Sequence, residues 1–272
     1  MSNFAQRVLT GLVGAALVVG AVWVGGWVFA VLIAGVAGAA QFELYRLVKA
    51  GGADPLVPLG LGLGAVATLW PLVPGAGLAL GAGLVAVLVG VLYLRRATPL
   101  ADAAGTAFGI LYPCLLASSL LVLRFADAPT WSDPDRFWIT TAVLFSVWGA
   151  DSFAYLAGRA FGRTPLFERV SPKKTWEGAA GGALGAFALV AVFKLTVLGQ
   201  AISWLDVAVI ALASGVLGPF GDLAESLFKR SVGVKDSATW LPGHGGLLDR
   251  IDATLVAVPV IVIYLELAHG LL

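Results

Sequence analysis

Residues 8–47 read VLTGLVGAALVVGAVWVGGWVFAVLIAGVAGAAQFELYRL: two apolar runs, Val8–Val24 and Trp27–Leu47, parted only by Gly25 and Gly26. A bilayer core of about 30 Å takes about 20 apolar residues per helix. Each run approaches that length, so the stretch predicts two consecutive membrane spans. Arg7 ahead of Val8 is like the start of a secretory signal. However, no small-x-small cleavage site precedes a polar mature start, and a second apolar run follows at once. Residues 8–24 are therefore expected to be a retained span.

Seven further runs extend the pattern: Leu56–Val73, Ala76–Leu94, Ala103–Leu123, Phe137–Leu156, Gly178–Leu198, Trp204–Phe220 and Ala253–Leu272. The expected fold is all-α, a polytopic transmembrane helical bundle of about nine spans. Composition agrees: 59% of the residues are hydrophobic and 12% charged, against about 25% charged in soluble domains. The single Cys114 excludes a disulfide framework and a cysteine metal site. Two histidines argue against a His-rich centre, and a net charge of +1 supplies no field for nucleic acid.

Placement of charge orients the bundle. With the N-terminus inside, fourteen of the seventeen Lys and Arg fall on inside segments, leaving only Arg124, Arg136 and Lys194 outside or near it. The outside loop is acidic, with Asp127, Asp133 and Asp135. Such asymmetry is the positive-inside pattern. It predicts N-terminus in, C-terminus out, in a cell (inner or plasma) membrane. The chain divides functionally near residue 137. Residues 1–136 are apolar spans with nearly bare loops, and residues 137–272 carry two charged segments, 151–178 and 218–252, both expected on the cytoplasmic side.

The second segment includes GPFGDLAESLFKRSVGVKDSATWLPGHGGLLDRID, Gly218–Asp252. On a helix, Asp222, Glu225, Ser226 and Lys229 share a face, and so do Asp249 and Asp252. The loop between them, with Gly233, Pro242, Gly243, Gly245 and Gly246, can bring backbone N–H groups close to an anion. Carboxylates beside an apolar run are expensive and are functional candidates by default. Together with Lys and Arg they suggest a metal–phosphate site, in which hard divalent cations take carboxylate oxygens and the basic groups take phosphates. An ordinary charged juxtamembrane loop is the plainer alternative.

The first segment, DSFAYLAGRAFGRTPLFERVSPKKTWEG, opens with Asp151 at the end of an apolar run. Ser171-Pro172 reads as an N-cap followed by proline at the first helical position. Lys173, Lys174 and Thr175 would then form a first turn whose free N–H groups face a phosphate. A basic anchor touching lipid headgroups is the alternative, and Arg159, Arg163 and Arg169 suit that role better than ligation.

The run S-L-F-K-R-x4-K-D-S-x-x-x-L-P-G-H-G-G-L-L-D-R-I-D, Ser226 to Asp252, resembles the signature of the phosphatidate cytidylyltransferase family. Gly221-Asp222-Leu223-x-Glu225-Ser226, Ser171-Pro172-Lys173-Lys174-Thr175-x-Glu177-Gly178 and Asp151-Ser152-x-Ala154-Tyr155-x-x-Gly158-Arg159 are similar to family patterns too. The specific resemblance covers roughly residues 145–255; before it the likeness is one of hydropathy only. Pro219 stands where a small or polar residue is expected, and a kink there would turn Asp222.

The resemblance implies a multi-span helical enzyme that transfers CMP from CTP to phosphatidic acid, with Mg²⁺ as cofactor, alone or beside a second monovalent or divalent cation. It also implies a homodimer. Carried over by position, Asp222 and Asp249 bind metal, with Glu225, Asp252 and Asp151 as further carboxylates. Lys229 and Arg230 join Asp222 and Asp249 as catalytic candidates. Ser171, Lys173, Lys174, Thr175, Glu177, Ser226, Lys235, His244 and Arg250 are candidates for substrate contact. The lipid phosphate is itself the nucleophile, so no covalent enzyme intermediate is needed, and positioning and charge neutralisation should dominate. Two rivals are another CTP-using lipid enzyme, such as a polyprenol kinase, and a secondary transporter. Against the transporter, the polar residues gather on one membrane face and no inverted repeat is evident.

Overall fold

The computed structural model describes residues 3–93, 97–234, 237–238 and 245–271, with side chains from Thr10 onward. Among these the chain forms nine helical rods. They are α1 (Asn3–Val24), α2 (Gly26–Ala50), α3 (Val57–Leu69), α4 (Ala76–Tyr93), α5 (Pro99–Arg124), α6 (Asp133–Phe161), α7 (Trp176–Leu198), α8 (Trp204–Ser231) and α9 (Leu248–His269). Each falls on one of the apolar runs. Seven of them, α2 and α4 to α9, are long and apolar enough to cross a membrane; α3 and the Thr10–Val24 part of α1 are apolar but shorter. Large apolar side chains also face outward, among them Leu78 at 83% and Leu267 at 84% exposure. Such a surface fits a hydrocarbon solvent. The protein is a helical, multi-pass membrane protein.

Three rods contain a π turn: Ile110–Leu115 in α5, Lys194–Leu198 in α7 and Ala213–Leu217 in α8. Pro113 lies within the first, where a widened turn accommodates its missing N–H. The π turn in α8 precedes Pro219, and the rod continues through that proline to Ser231 rather than ending near Phe220.

One element departs from the expected helices. Pro165–Phe167 (β1) and Ser171–Thr175 (β2) form an antiparallel hairpin, with Pro165 opposite Thr175 and Phe167 opposite Ser171. The helix start expected at Ser171-Pro172 is therefore corrected: α7 begins at Trp176. Thr175 is extended (φ −128°, ψ 155°), and its hydroxyl accepts from the Gly178 N–H at 3.1 Å, so it is the N-cap. Lys173 and Lys174 are strand residues and point to opposite faces; Lys173 is exposed and Lys174 half-buried.

The chain folds into two compact units, Met1–Leu121 with Phe228–Ile251, and Val122–Leu227 with Asp252–Leu272. In the first, buried polar bonds tie α2 to α3 and α5. Gln41 Nε2 donates to the Gly60 carbonyl at 2.7 Å, and Tyr45 Oη donates to the Thr106 carbonyl at 2.9 Å. In the second, α6 packs on the glycine face of α7, where a Cβ at Gly178 or Gly182 would press on the Ala154 or Ala150 carbonyl. Small residues let membrane helices approach closely. Ser203 and Asp206 form a capping box at the start of α8, and the buried Asp206 also accepts from Tyr264 Oη at 2.7 Å.

Gly221 of α8 lies against the Asp252 carbonyl of α9, and an added Cβ would collide with that backbone. Gly221→Ala is expected to cost about 1–3 kcal/mol through overpacking, seen as a lower thermal midpoint in detergent. Gly81→Ala, where the Cβ meets open space, should leave the midpoint unchanged or raise it.

Candidate active site

Asp222, Glu225, Lys229, Asp249 and Asp252 sit toward the ends of apolar rods, and Lys173 and Lys174 on the hairpin. In the second unit, Asp222 and Glu225 lie one turn apart on α8. Asp222 is partly exposed and forms an ion pair with Lys174 from the hairpin. The same ammonium donates to the Pro219 carbonyl at 3.4 Å, so the hairpin is clasped to α8 at two points. Ser226 Oγ lies 3.4 Å from Asp222 Oδ1. Glu225 is fully buried and Asp252 of α9 nearly so, and the charges of Asp222 and Asp151 both act on Asp252. Asp151 is exposed on α6. The structure thus brings Asp151, Lys174, Asp222, Glu225, Ser226 and Asp252 together.

Glu177 and Thr175 have local work. The Glu177 carboxylate accepts from the Arg163 and Thr164 N–H groups, each at 3.1 Å, and from Thr164 Oγ1 at 2.9 Å. That fixes the chain as it enters the hairpin. The first-turn N–H groups expected to face a phosphate are partly used already, since Thr175 takes the Gly178 N–H. An open groove beside this clasp is lined by Ala160, Phe161, Gly162, Arg163 and Glu177.

In the first unit, Lys229 of α8 pairs with Asp249 of α9, both largely buried. Asp249 Oδ2 also accepts from the Gly246 N–H at 2.9 Å and lies 3.2 Å from Ser237 Oγ. The Gly246 N–H therefore meets a protein carboxylate, where the sequence pointed to a ligand anion. Arg230 reaches the Val234 carbonyl at 3.2 Å. Lys173 and Arg250 are exposed, and Ser171 is half-buried in β2. Lys235 and His244 lie outside the described residues.

Sequence reasoning missed Glu43 and Ser237. Glu43 is fully buried, with 0% of its surface exposed, and it accepts from Ser237 Oγ at 2.8 Å and from the Leu247 and Leu248 N–H groups at 2.9 Å each. The signal was available: a carboxylate inside an apolar run is costly without a partner.

The fold and these paired charges define a multi-pass helical membrane protein with carboxylate–ammonium pairs on its rods and hairpin. The chain belongs to the cytidylyltransferase family, whose match spans residues 5–268. Relatives bear the name phosphatidate cytidylyltransferase. The chloroplastic form 5 of Arabidopsis thaliana is 36% identical over 93% of this chain and 69% of its own length. The protein of Synechocystis sp. is 31% identical over 96% of both. That of Haemophilus influenzae is 46% identical over 43% of this chain and 42% of its own. The likeness reaches well beyond residues 145–255, taking in the first half that hydropathy alone had suggested.

Glu177→Ala should release the Arg163–Thr164 backbone. Faster trypsin cleavage within 163–174 in detergent is the expected outcome, with little change in thermal midpoint. Unchanged cleavage would show that the hairpin is held by other contacts.

Proposed function

We propose that this protein transfers CMP from CTP to phosphatidic acid, yielding CDP-diacylglycerol and pyrophosphate in phospholipid biosynthesis. The observation that carries the proposal is the family match from residue 5 to residue 268, with relatives of that activity's name aligned over nearly the whole chain. In the reaction a phosphatidate oxygen attacks the α-phosphorus of CTP. The new P–O bond forms as the α–β bridge breaks, and pyrophosphate leaves with the electron pair. Two anions must meet, so neutralisation and alignment supply most of the rate.

The residues divide the work as follows. Lys174 and Lys229, each paired with a carboxylate, are the lysines proposed to turn to phosphate oxygens when substrate binds. Lys173, Arg230, Lys235 and Arg250 are the further candidates for phosphate contact, and Ser171, Ser226 and His244 those for hydrogen bonds to substrate. Thr175 and Glu177 shape the hairpin that presents the two lysines.

Mg²⁺ fits this donor set in kind. Asp222 is a partly exposed oxygen donor with one loosely engaged oxygen, and Glu225, Asp252 and Asp151 lie around it. Asp249 is more fully engaged, by Lys229, Gly246 and Ser237, so a second cation there requires Lys229 to move. Among the described residues no three His, Cys, Asp or Glu side chains form a ready ligand group; substrate phosphates would complete the set. Mg²⁺ held by these carboxylates would supply neutralisation of triphosphate charge and polarisation of the reacting phosphoryl group.

The proposal includes nine spans, an N-terminus inside, a catalytic region over 137–272 served from the cytoplasmic face of the cell membrane, and a homodimer. A polyprenol kinase or a transporter is not favoured by the family match. Purified protein with CTP, phosphatidate and Mg²⁺ should yield pyrophosphate and CDP-diacylglycerol; CDP as the product would indicate a kinase instead.

Asp222→Asn and Asp249→Asn should each lower turnover by about a hundredfold or more, with a folded, membrane-inserted protein and a weakened response to Mg²⁺. Asp252→Asn should do less. Near-normal turnover in either of the first two removes that residue from the metal assignment. For topology, with Cys114→Ser as background, a membrane-impermeant thiol reagent should label Thr130→Cys from outside and Ser231→Cys only after permeabilisation. Equal labelling of both from outside rejects the orientation.

A further inference from the structure

Glu43 lies on α2, in the half of the chain that otherwise carries few charges. Among the described residues its hydrogen-bond donors come from the segment that links α8 to α9 and from the first residue of α9. Ser237 Oγ donates at 2.8 Å to Oε2, the Leu247 N–H at 2.9 Å to Oε1, and the Leu248 N–H at 2.9 Å to Oε2. Leu248 is the first residue of α9, so these N–H groups belong to the helix start, which has no acceptors of its own. A negative charge there also meets the positive end of the helix dipole. Glu43 therefore caps α9 from a different rod.

The capped turn is the one that holds Asp249. The Gly246 N–H, next to Leu247, donates to Asp249 Oδ2 at 2.9 Å, and Ser237 Oγ lies 3.2 Å from the same oxygen. A hydroxyl has one proton, so Ser237 stands as a link between the two carboxylates. Lys229 holds the other oxygen of Asp249. Of the described groups that hold Asp249, Ser237 is bonded to Glu43 and Gly246 adjoins Leu247, which is bonded to it too. The approach is close enough to exclude a side chain: a Cβ on Gly246 would collide with Ser237 Oγ and Glu43 Oε2.

We infer that Glu43 is a positioning residue for the reaction: through Ser237 and the first amides of α9 it sets the orientation of the Asp249 carboxylate. The inference rests on the CMP transfer proposed above. Small displacements of a reacting geometry cost large factors in rate, and a hydrogen bond to a charged acceptor corresponds to roughly a tenfold to hundredfold effect. Loss of Glu43 should therefore appear in kcat, measured per folded molecule, rather than in stability alone.

The test uses full-length protein in detergent–lipid micelles with CTP, phosphatidate and Mg²⁺. Glu43→Gln keeps the shape but turns an amide N–H₂ toward donors. It should lower kcat about tenfold to hundredfold, with KM for both substrates within about threefold of wild type. Hydrogen–deuterium exchange of the peptide over 245–251 should be faster in the same variant. Ser237→Ala leaves both α9 amides capped and should fold even if Glu43→Gln does not. It should lower kcat about tenfold, by breaking the link to Asp249. Wild-type kcat in a folded Glu43→Gln, or in Ser237→Ala if Glu43→Gln fails to fold, overturns the inference, whatever happens to the thermal midpoint. A wild-type protein that makes no CDP-diacylglycerol refutes the functional proposal instead. The exchange measurement then decides separately whether Glu43 holds the turn, and unchanged exchange overturns that too.

Discussion

An ionisable group inside an apolar rod must find a partner within the protein, because lipid offers none. Much of the polar structure here follows from that constraint. Asp222 is met by Lys174, Asp249 by Lys229, and Asp206 by Tyr264 and His269. The mostly buried Lys194 is met by the Gly199 and Ile202 carbonyls. Buried pairs contribute little net stability, yet removing one member leaves an uncompensated charge and is costly. A triphosphate that arrives with its own cation brings both signs at once. Lysines and carboxylates can then exchange partners without any charge being left bare, which suits these pairs to the proposed chemistry.

The rods were legible in the sequence because hydrocarbon thickness sets their length and every span must satisfy its own backbone. Rod ends were less so. The apolar run of α8 stops near Phe220, but the helix carries its charges on to Ser231, where Asp222 and Lys229 each meet an opposite charge. The hairpin was read wrongly for a specific reason. Ser-Pro followed by Lys-Lys-Thr satisfies the local rules for a helix start, but pairing of β2 with β1 and the cap at Thr175 delay the helix to Trp176. Tertiary contacts overrode a local signal.

The candidate site was legible where charge interrupts hydrophobicity late in the chain: Asp222, Glu225, Lys229 and Asp249 are all engaged in one cluster or the other. Glu43 was hidden by its surroundings. It lies in a run whose length and composition already had an explanation as a span, and its partners lie far away in sequence. Hydrophobic periodicity reports which face of a rod is buried and says nothing of what a lone carboxylate on that face will bind. The same holds for Ser237, which stands inside the recognised signature yet has no charge to draw notice.

The hydrogen bonds accepted by Glu43 span 194, 204 and 205 positions along the chain. Translation proceeds at about 5–20 residues per second, so roughly 10–40 s separate synthesis of this carboxylate from synthesis of its donors. During that interval α2 carries an acidic group whose final partners do not yet exist. The interval sets a demand on biogenesis rather than on the finished enzyme. Until the start of α9 is made, that carboxylate must be kept in contact with water or protein at the insertion site, or hold a proton, and the N-terminal helices cannot reach their final packing before the last rod begins to form.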